Sequence, residues 1–152
     1  MQHPILKNYQ SILVYISIWM VIIILQFPFL YYSFHYSVYI ALINCTVYPS
    51  LFALLGIGIW YPVRYTDFSA NKKVLAIVNH AVSAVFAVGV WLWLGFSITS
   101  ELARDSVYIA SFSKMLPGAV MFGLTLYALI VLIYYLMIKN DQLKEKIVRT
   151  RL

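Results

Sequence analysis

Charged residues are scarce in this sequence. Only 11% of its 152 residues are charged, whereas a soluble domain carries about 25%. No Asp, Glu, Lys or Arg occurs between Lys7 and Arg64, a run of 56 residues. A membrane-spanning helix needs about 20 predominantly apolar residues, so this run is long enough for two spans and a turn. The sequence therefore excludes an ordinary soluble domain, and it also lacks the alternating polarity of a membrane β-barrel.

Residues and motifs that usually perform catalysis or bind metals and nucleotides are scarce as well. The single cysteine, Cys45, lies in an apolar run, cannot form an intramolecular disulfide, and is expected to be a small buried residue. The three histidines, His3, His35 and His80, are far apart in the sequence, which argues against a metal cluster. No nucleotide-binding glycine loop and no nucleophile motif occurs. We therefore predict no catalytic, cofactor-binding or metal-binding residue, and no enzyme activity for this chain.

Hydrophobic residues, at 63% of the chain, are arranged in four long runs. They predict an all-α fold, a polytopic membrane protein with a four-transmembrane-helix bundle over residues 1–138. The last helix is expected to extend into the cytoplasm as the start of a signalling or coiled helix, residues 139–152. The first run is too long for a signal peptide and should remain as an anchor. The predicted spans are residues 11–32, 38–60, 74–98 and 115–138.

The segment between the third and fourth spans, residues 99–114, is predicted to be the longest loop on its side of the membrane. Pro117 would then lie in the first turn of the fourth span, where the missing N–H of proline is tolerated. Ala119 and Gly123 in the same span form a small-xxx-small pair. That pair indicates a face on which another helix packs closely.

Basic residues are distributed unevenly along the chain. Four spans place both termini on one side of the membrane. Nine Lys and Arg residues fall on that side, and only Arg104 and Lys114 fall on the other. Loops rich in Lys and Arg remain in the cytoplasm, so both termini are predicted to be cytoplasmic. Topology thus accounts for the net charge of +6. The expected partner is the lipid bilayer, and no nucleic acid is expected.

Three polar residues within the spans, Asn44, Asn79 and His80, are candidates for sensing or for packing. Asn44 is close to Pro49, and its amide could bond the backbone groups that a proline kink frees, or a neighbouring helix. Asn79 belongs to a strip of small and polar residues suited to close helix packing. A membrane-embedded histidine is a functional candidate. Haem ligation would need a second histidine within the spans, so His80 is expected to be a hydrogen-bonded packing residue.

A heptad pattern continues from the fourth span into the charged tail. It consists of Ile133, Asn140 and Ile147 at a positions and Leu136, Leu143 and Thr150 at d positions. Asparagine at an a position favours two helices paired in register. All of these residues except Thr150 are therefore candidates for signal relay and dimer contact. The alternative is a solvated amphipathic end of the helix, since Lys144 and Lys146 at e and g do not complement each other.

Three stretches carry a resemblance to a known family. They are GIGIWYPVRYTDF (56–68), NHAVSAVFAVGVWLW (79–93) and LPGAVMFGLTLYALIVLIYYLMIKNDQLKEK (116–146). With them the chain resembles the four-span N-terminal membrane region of LytS/YehU-type sensor histidine kinases of Bacteroidetes type. The resemblance implies a homodimer in the bacterial inner membrane, whose fourth span leads through a coiled helix to a phosphoacceptor-histidine box and an ATP-binding domain. It also implies a LytTR-type response regulator as the downstream partner.

The resemblance carries over no catalytic residue, because these 152 residues contain neither an Asn-Pro-His-Phe box nor an ATPase motif. ATP would be bound only by the kinase domain, which is absent from this chain. The expected function is a membrane sensor or anchor module of a two-component sensor histidine kinase, present here as a fragment or as a truncated gene product. The alternative is a self-standing small integral membrane protein that binds other membrane proteins.

Overall fold

The computed structural model describes residues 3–66 and 72–151, with side chains as far as Val148. These residues form five α-helices and no β-strand, which confirms the predicted all-α class. The helices are α1 (Tyr9–Ser33), α2 (Val38–Gly58), α3 (Trp60–Tyr65), α4 (Lys73–Ala103) and α5 (Ser106–Arg151).

Within the described residues, four helical segments are long and apolar enough to cross a membrane. They are Tyr9–Ser33, Val38–Tyr65 (α2 together with α3), Lys73–Ala103 and Ser106–Val148. Each predicted span lies inside one of them. Large apolar side chains on these segments remain exposed, among them Leu25, Phe86 and Leu132. Such a belt of exposed apolar surface is satisfied by lipid, so the chain is a multi-pass membrane protein organised as a four-helix bundle.

Polar side chains begin three of the helices. The Asn8 side chain accepts a hydrogen bond from the Ser11 N–H at 2.8 Å at the start of α1, and Ser37 caps α2 in the same way through Ile40. Asp105 caps α5, its Oδ1 accepting from the N–H groups of Val107 at 2.7 Å and Tyr108 at 3.0 Å. These acceptors satisfy N–H groups that have no partner within the helix.

The predicted loop over residues 99–114 is wrong. Helix α4 continues to Ala103 and α5 begins at Ser106, so only Arg104 and Asp105 connect them. Arg104 has φ 47°, in the left-handed region, which ends α4 sharply. Tyr108 is buried, and its neighbour Phe112 packs on Phe96 of α4 with ring centroids 4.3 Å apart. This aromatic contact and the Asp105 cap keep the segment helical.

The helix that contains the fourth predicted span begins earlier than the span itself, at Ser106. Pro117 lies inside α5 rather than in its first turn. The predicted packing role of the Ala119 and Gly123 pair is confirmed. Gly123 is buried, and a Cβ there would come within 2.8 Å of the Trp91 ring. The small residues therefore let α4 and α5 approach closely.

The helices pack in the order α1, α2, α4, α5, and α2 is the most buried of the spans. The centre of the bundle is aromatic. The Trp91 ring of α4 lies nearly perpendicular to those of Tyr48 and Phe52 of α2, at centroid distances of 5.5 and 5.1 Å. Trp91 also donates its Nε1–H to the Tyr48 carbonyl oxygen at 2.8 Å. Among the described residues, no backbone contact joins α1 to α5. The two outer helices therefore leave a gap between them.

Replacing Gly95 by alanine should destabilise the bundle by about 1–3 kcal/mol relative to the same change at Gly89. A Cβ at Gly95 would overlap the buried ring of Tyr48, whereas one at Gly89 meets nothing within 4 Å. Both glycines lie in α4 and gain the same helix propensity from alanine, so the difference isolates the overlap. Reversible unfolding of both variants in mixed detergent measures it. Equal stabilities would contradict the close approach of α2 and α4 at Gly95.

Candidate functional site

Helix α5 is the longest element and runs for 46 residues from Ser106 to Arg151. At roughly 1.5 Å per residue it is about 70 Å long, more than twice the thickness of the hydrocarbon layer. The helix continues without a break from its apolar part past Lys139 into the charged tail. A rigid connection therefore joins the interior of the bundle to the region beyond it.

One face of α5 is packed into the bundle. Tyr127 and Tyr134 are buried on this face, and Ile130 and Ile138 are half-buried. The Tyr134 hydroxyl donates a hydrogen bond to the carbonyl oxygen of Gly56 at 2.9 Å. Because the partner is a main-chain oxygen close to the end of α2, this bond fixes α5 to the point where α2 meets α3.

The N-terminal segment meets the same point. His3 Nε2 donates to the Ile57 carbonyl oxygen at 3.0 Å, while His3 Nδ1 accepts from the Ile5 N–H at 3.2 Å. This pair of contacts corresponds to a neutral imidazole protonated on Nε2. The His3 ring lies 5.5 Å from that of Trp60 and 6.0 Å from that of Tyr134. We call His3, Gly56, Ile57, Trp60 and Tyr134 the His3–Tyr134 junction.

At its other end α5 is fixed by tyrosines. Tyr36, in the turn between α1 and α2, lies with its hydroxyl 3.0 Å from the Ser111 hydroxyl. Tyr48 of α2 makes the same contact with Tyr108 at 3.0 Å. Burial raises the pKa of the Tyr36 hydroxyl above its ordinary value, so the group stays protonated and can donate. Helix α5 is therefore fixed to its neighbours at both ends of the membrane-spanning part.

The predicted relay residues lie on a different face of α5. Ile133, Leu136, Leu143 and Ile147 are between 54% and 58% exposed, and Asn140 is exposed as well. We call these five residues the heptad face. With about 3.6 residues per turn, this face points away from the side that carries Tyr134. The remaining predicted position, Thr150, and the side chains of Arg149 and Arg151 lie outside the described side chains.

Asn140 also borders a groove beside the N-terminal segment. The groove lies between Lys7 and Asn8 on one side and Asp141 and Lys144 of α5 on the other. Asn140 is therefore at the edge of the heptad face, next to the chain's own N-terminal segment. The other four members of the face do not line this groove.

The three polar candidates of the spans are not brought together. Asn79 is exposed on α4. His80 is half-buried, and its Nδ1 lies 3.2 Å from the Tyr127 hydroxyl, in agreement with the expected packing role. Asn44 is buried, with 5% of its surface exposed, and its side chain makes no hydrogen bond to any described residue. The sensing or packing role of Asn44 stays a prediction, and the residue lines a cavity between α1 and α5.

The His3–Tyr134 junction is a feature that sequence reasoning missed. From the sequence, His3 was considered only as a residue too distant from the other histidines to share a metal. Tyr134 was considered only as part of an apolar run. The signal available in the sequence was Pro62, whose missing N–H leaves the Gly58 carbonyl without its helical donor at the break between α2 and α3. The pattern did not indicate which side chains would bond the carbonyls near that break.

Comparison of the chain with models of known protein families, with curated proteins and with solved structures finds no match. The fold and the site themselves define a multi-pass, all-α membrane protein with one extended helix.

Proposed function

We propose that the chain is the membrane sensor or anchor module of a two-component sensor histidine kinase. The observation that carries this proposal is the continuity of α5, which is fixed inside the bundle at Tyr108 and Tyr134 and continues as one helix beyond Lys139. A change in the packing of the spans would shift or rotate α5 as a rigid body. The charged end of the helix would deliver that motion to a kinase domain outside these residues.

The proposal includes a dimer. Leu143 and Ile147 lie beyond Lys139, the first charged residue after the apolar part of α5, and more than half of each side chain is exposed. Apolar side chains in this position are stabilised when a second helix covers them, and heptad spacing fits a second copy of the same helix. A kinase that works as a dimer would use this pairing. Its ATP would bind in the kinase domain, and its partner would be a response regulator.

The proposal also places the protein in the bacterial inner membrane with both termini in the cytoplasm. Support comes from the distribution of Lys and Arg, nine on the side of the termini and two on the other. The two residues of the α4–α5 connection include Arg104, which pairs with Glu101 at 3.2 Å. Part of the small positive charge on that side is thus neutralised.

Reporter fusions test the orientation. Alkaline phosphatase, which is active only outside the cytoplasm, should be inactive when fused after Leu152, and a cytoplasm-dependent fluorescent protein should be bright there. The matched control is fusion of the same reporters after Arg104, in the connection at the opposite end of α5, where the two signals should exchange. Strong phosphatase activity at Leu152 would contradict a cytoplasmic end of α5.

A further inference from the structure

The gap between α1 and α5 contains a cavity of about 570 Å³. Side chains from the four long helices line it, and nine of the nineteen lining residues are aromatic. Trp19 belongs to α1, Phe52 to α2, Trp91 to α4 and Phe112 to α5. The volume lies in the range of about 300–1,000 Å³ that is usual for sites of small organic molecules. Because no backbone contact joins α1 to α5, we infer that the cavity opens between these two helices toward the lipid.

Two amide side chains that line this cavity have no hydrogen-bond partner among the described residues. Asn44 is 95% buried, and among the described residues its amide has no hydrogen bond. Gln26 also lines the cavity, half-buried, with no hydrogen bond from its amide to a described residue. Buried amides are almost always paired in folded proteins, and lipid chains cannot pair them. Since Asn44 lines the cavity, a molecule that occupies the cavity is in position to supply this partner.

We propose that the cavity binds an uncharged, ring-bearing molecule that carries a carbonyl or hydroxyl group and enters from the bilayer. The rings of the molecule would stack against the aromatic walls. Its oxygen would bond the amide of Asn44, with that of Gln26 as a second partner. No charged residue lines the cavity, which excludes an ionic ligand. A plain acyl chain fits poorly, since it would leave both amides unpaired.

The cavity is in contact with helix α5. Met115 and Ala119 of α5 line the same cavity. A molecule bound there would touch the helix that carries the heptad face. Binding does not depend on the proposed kinase connection, however, because it is measured on this chain alone. Failure of binding and failure of the kinase proposal are therefore separate results.

Equilibrium dialysis of the full chain in lipid nanodiscs tests the site, with empty nanodiscs as the blank. The probes are 2-acetylnaphthalene and 2-ethylnaphthalene, which have similar ring size and differ in the carbonyl. We expect saturable retention of the acetyl compound, one molecule per chain. The ethyl compound should bind roughly tenfold more weakly, as expected for one missing hydrogen bond in a site without water.

Three variants locate the binding. Asn44→Leu should weaken retention of the acetyl compound roughly tenfold and leave that of the ethyl compound unchanged. Gly118→Leu should abolish retention of both, because Gly118 lines the cavity and a Cβ there projects into open space. Gly89→Leu is the matched control, since Gly89 also has open space beside it but lies outside the cavity, and it should bind like the parent protein.

Several results would overturn the proposal. One is the absence of saturable retention of the acetyl compound by the parent protein. Another is equal affinity for the two probes, which would identify an acyl-chain pocket. Parent-like retention by the Gly118→Leu variant would place the binding elsewhere. The Gly118 variant keeps the test valid if Asn44→Leu fails to fold.

Discussion

Replacing Trp91 by alanine should destabilise the protein by about 3 kcal/mol, the lower end of the range for buried tryptophan. Trp91 is 4% exposed, lies against the rings of Tyr48 and Phe52, and donates to the Tyr48 carbonyl oxygen. Gly123 of α5 approaches its other side. Helices in a membrane are held together by such packing rather than by exclusion of water. Removing the ring therefore leaves a void shared by three helices.

Trp93 provides the matched control for this prediction. It lies two residues further along α4 and is 68% exposed. Since lipid surrounds it in the folded bundle and in the separated helices alike, Trp93→Ala should change the stability by less than about 0.5 kcal/mol. Unfolding of both variants in mixed detergent, followed by far-UV circular dichroism, measures the difference. Equal losses of stability would contradict the packing of α4 between α2 and α5.

Cysteines introduced on the heptad face should crosslink two copies of the chain in the membrane. In a Cys45→Ala background, the variants Asn140→Cys, Leu143→Cys and Ile147→Cys should form disulfide-linked dimers with high yield on mild oxidation. A disulfide forms only when the two Cα atoms lie within about 7 Å, a distance that paired heptad positions satisfy. The product is quantified on non-reducing gels.

The control positions lie on the opposite side of α5. Asp141→Cys and Glu145→Cys, on the face that carries Tyr134, should give several-fold lower yields, so that the yield rises and falls with the heptad. Uniform yields along the tail would indicate random collision rather than paired helices. If the heptad positions instead crosslink to a protein of a different mass, the alternative function, a small membrane protein that binds other membrane proteins, replaces the homodimer.

The sequence was sufficient for the membrane class and for the number of spans. A charge-free apolar run of this length is typical of membrane-spanning helices, because a helix pairs its own backbone groups and lipid cannot. A hydrogen bond of His80 was also expected, and the Tyr127 hydroxyl lies 3.2 Å from its Nδ1. The contact at Gly123 followed from the spacing of small residues.

The connection after α4 and the cavity beside Asn44 could not be predicted from the sequence. The polar composition of residues 99–114 suggested a loop, but Asp105 caps a helix whose aromatic residues turn back onto Phe96. The helical structure of this segment depends on tertiary packing, which cannot be predicted from the periodicity of apolar residues. For Asn44 the sequence indicated a polar group in a span, but the gap between α1 and α5 arises from the packing order of the helices. Only the assembled bundle reveals a cavity beside the amide.

The central claim is that α5 connects the bundle to a kinase. The nucleotide sequence that follows the codon of Leu152 in the gene tests it most directly. We expect the reading frame to continue in the heptad phase of Ile133, Asn140 and Ile147, and to lead to an Asn-Pro-His-Phe box and an ATP-binding domain. A stop codon immediately after Leu152 would contradict the kinase connection, because the output helix would then have no catalytic domain to move.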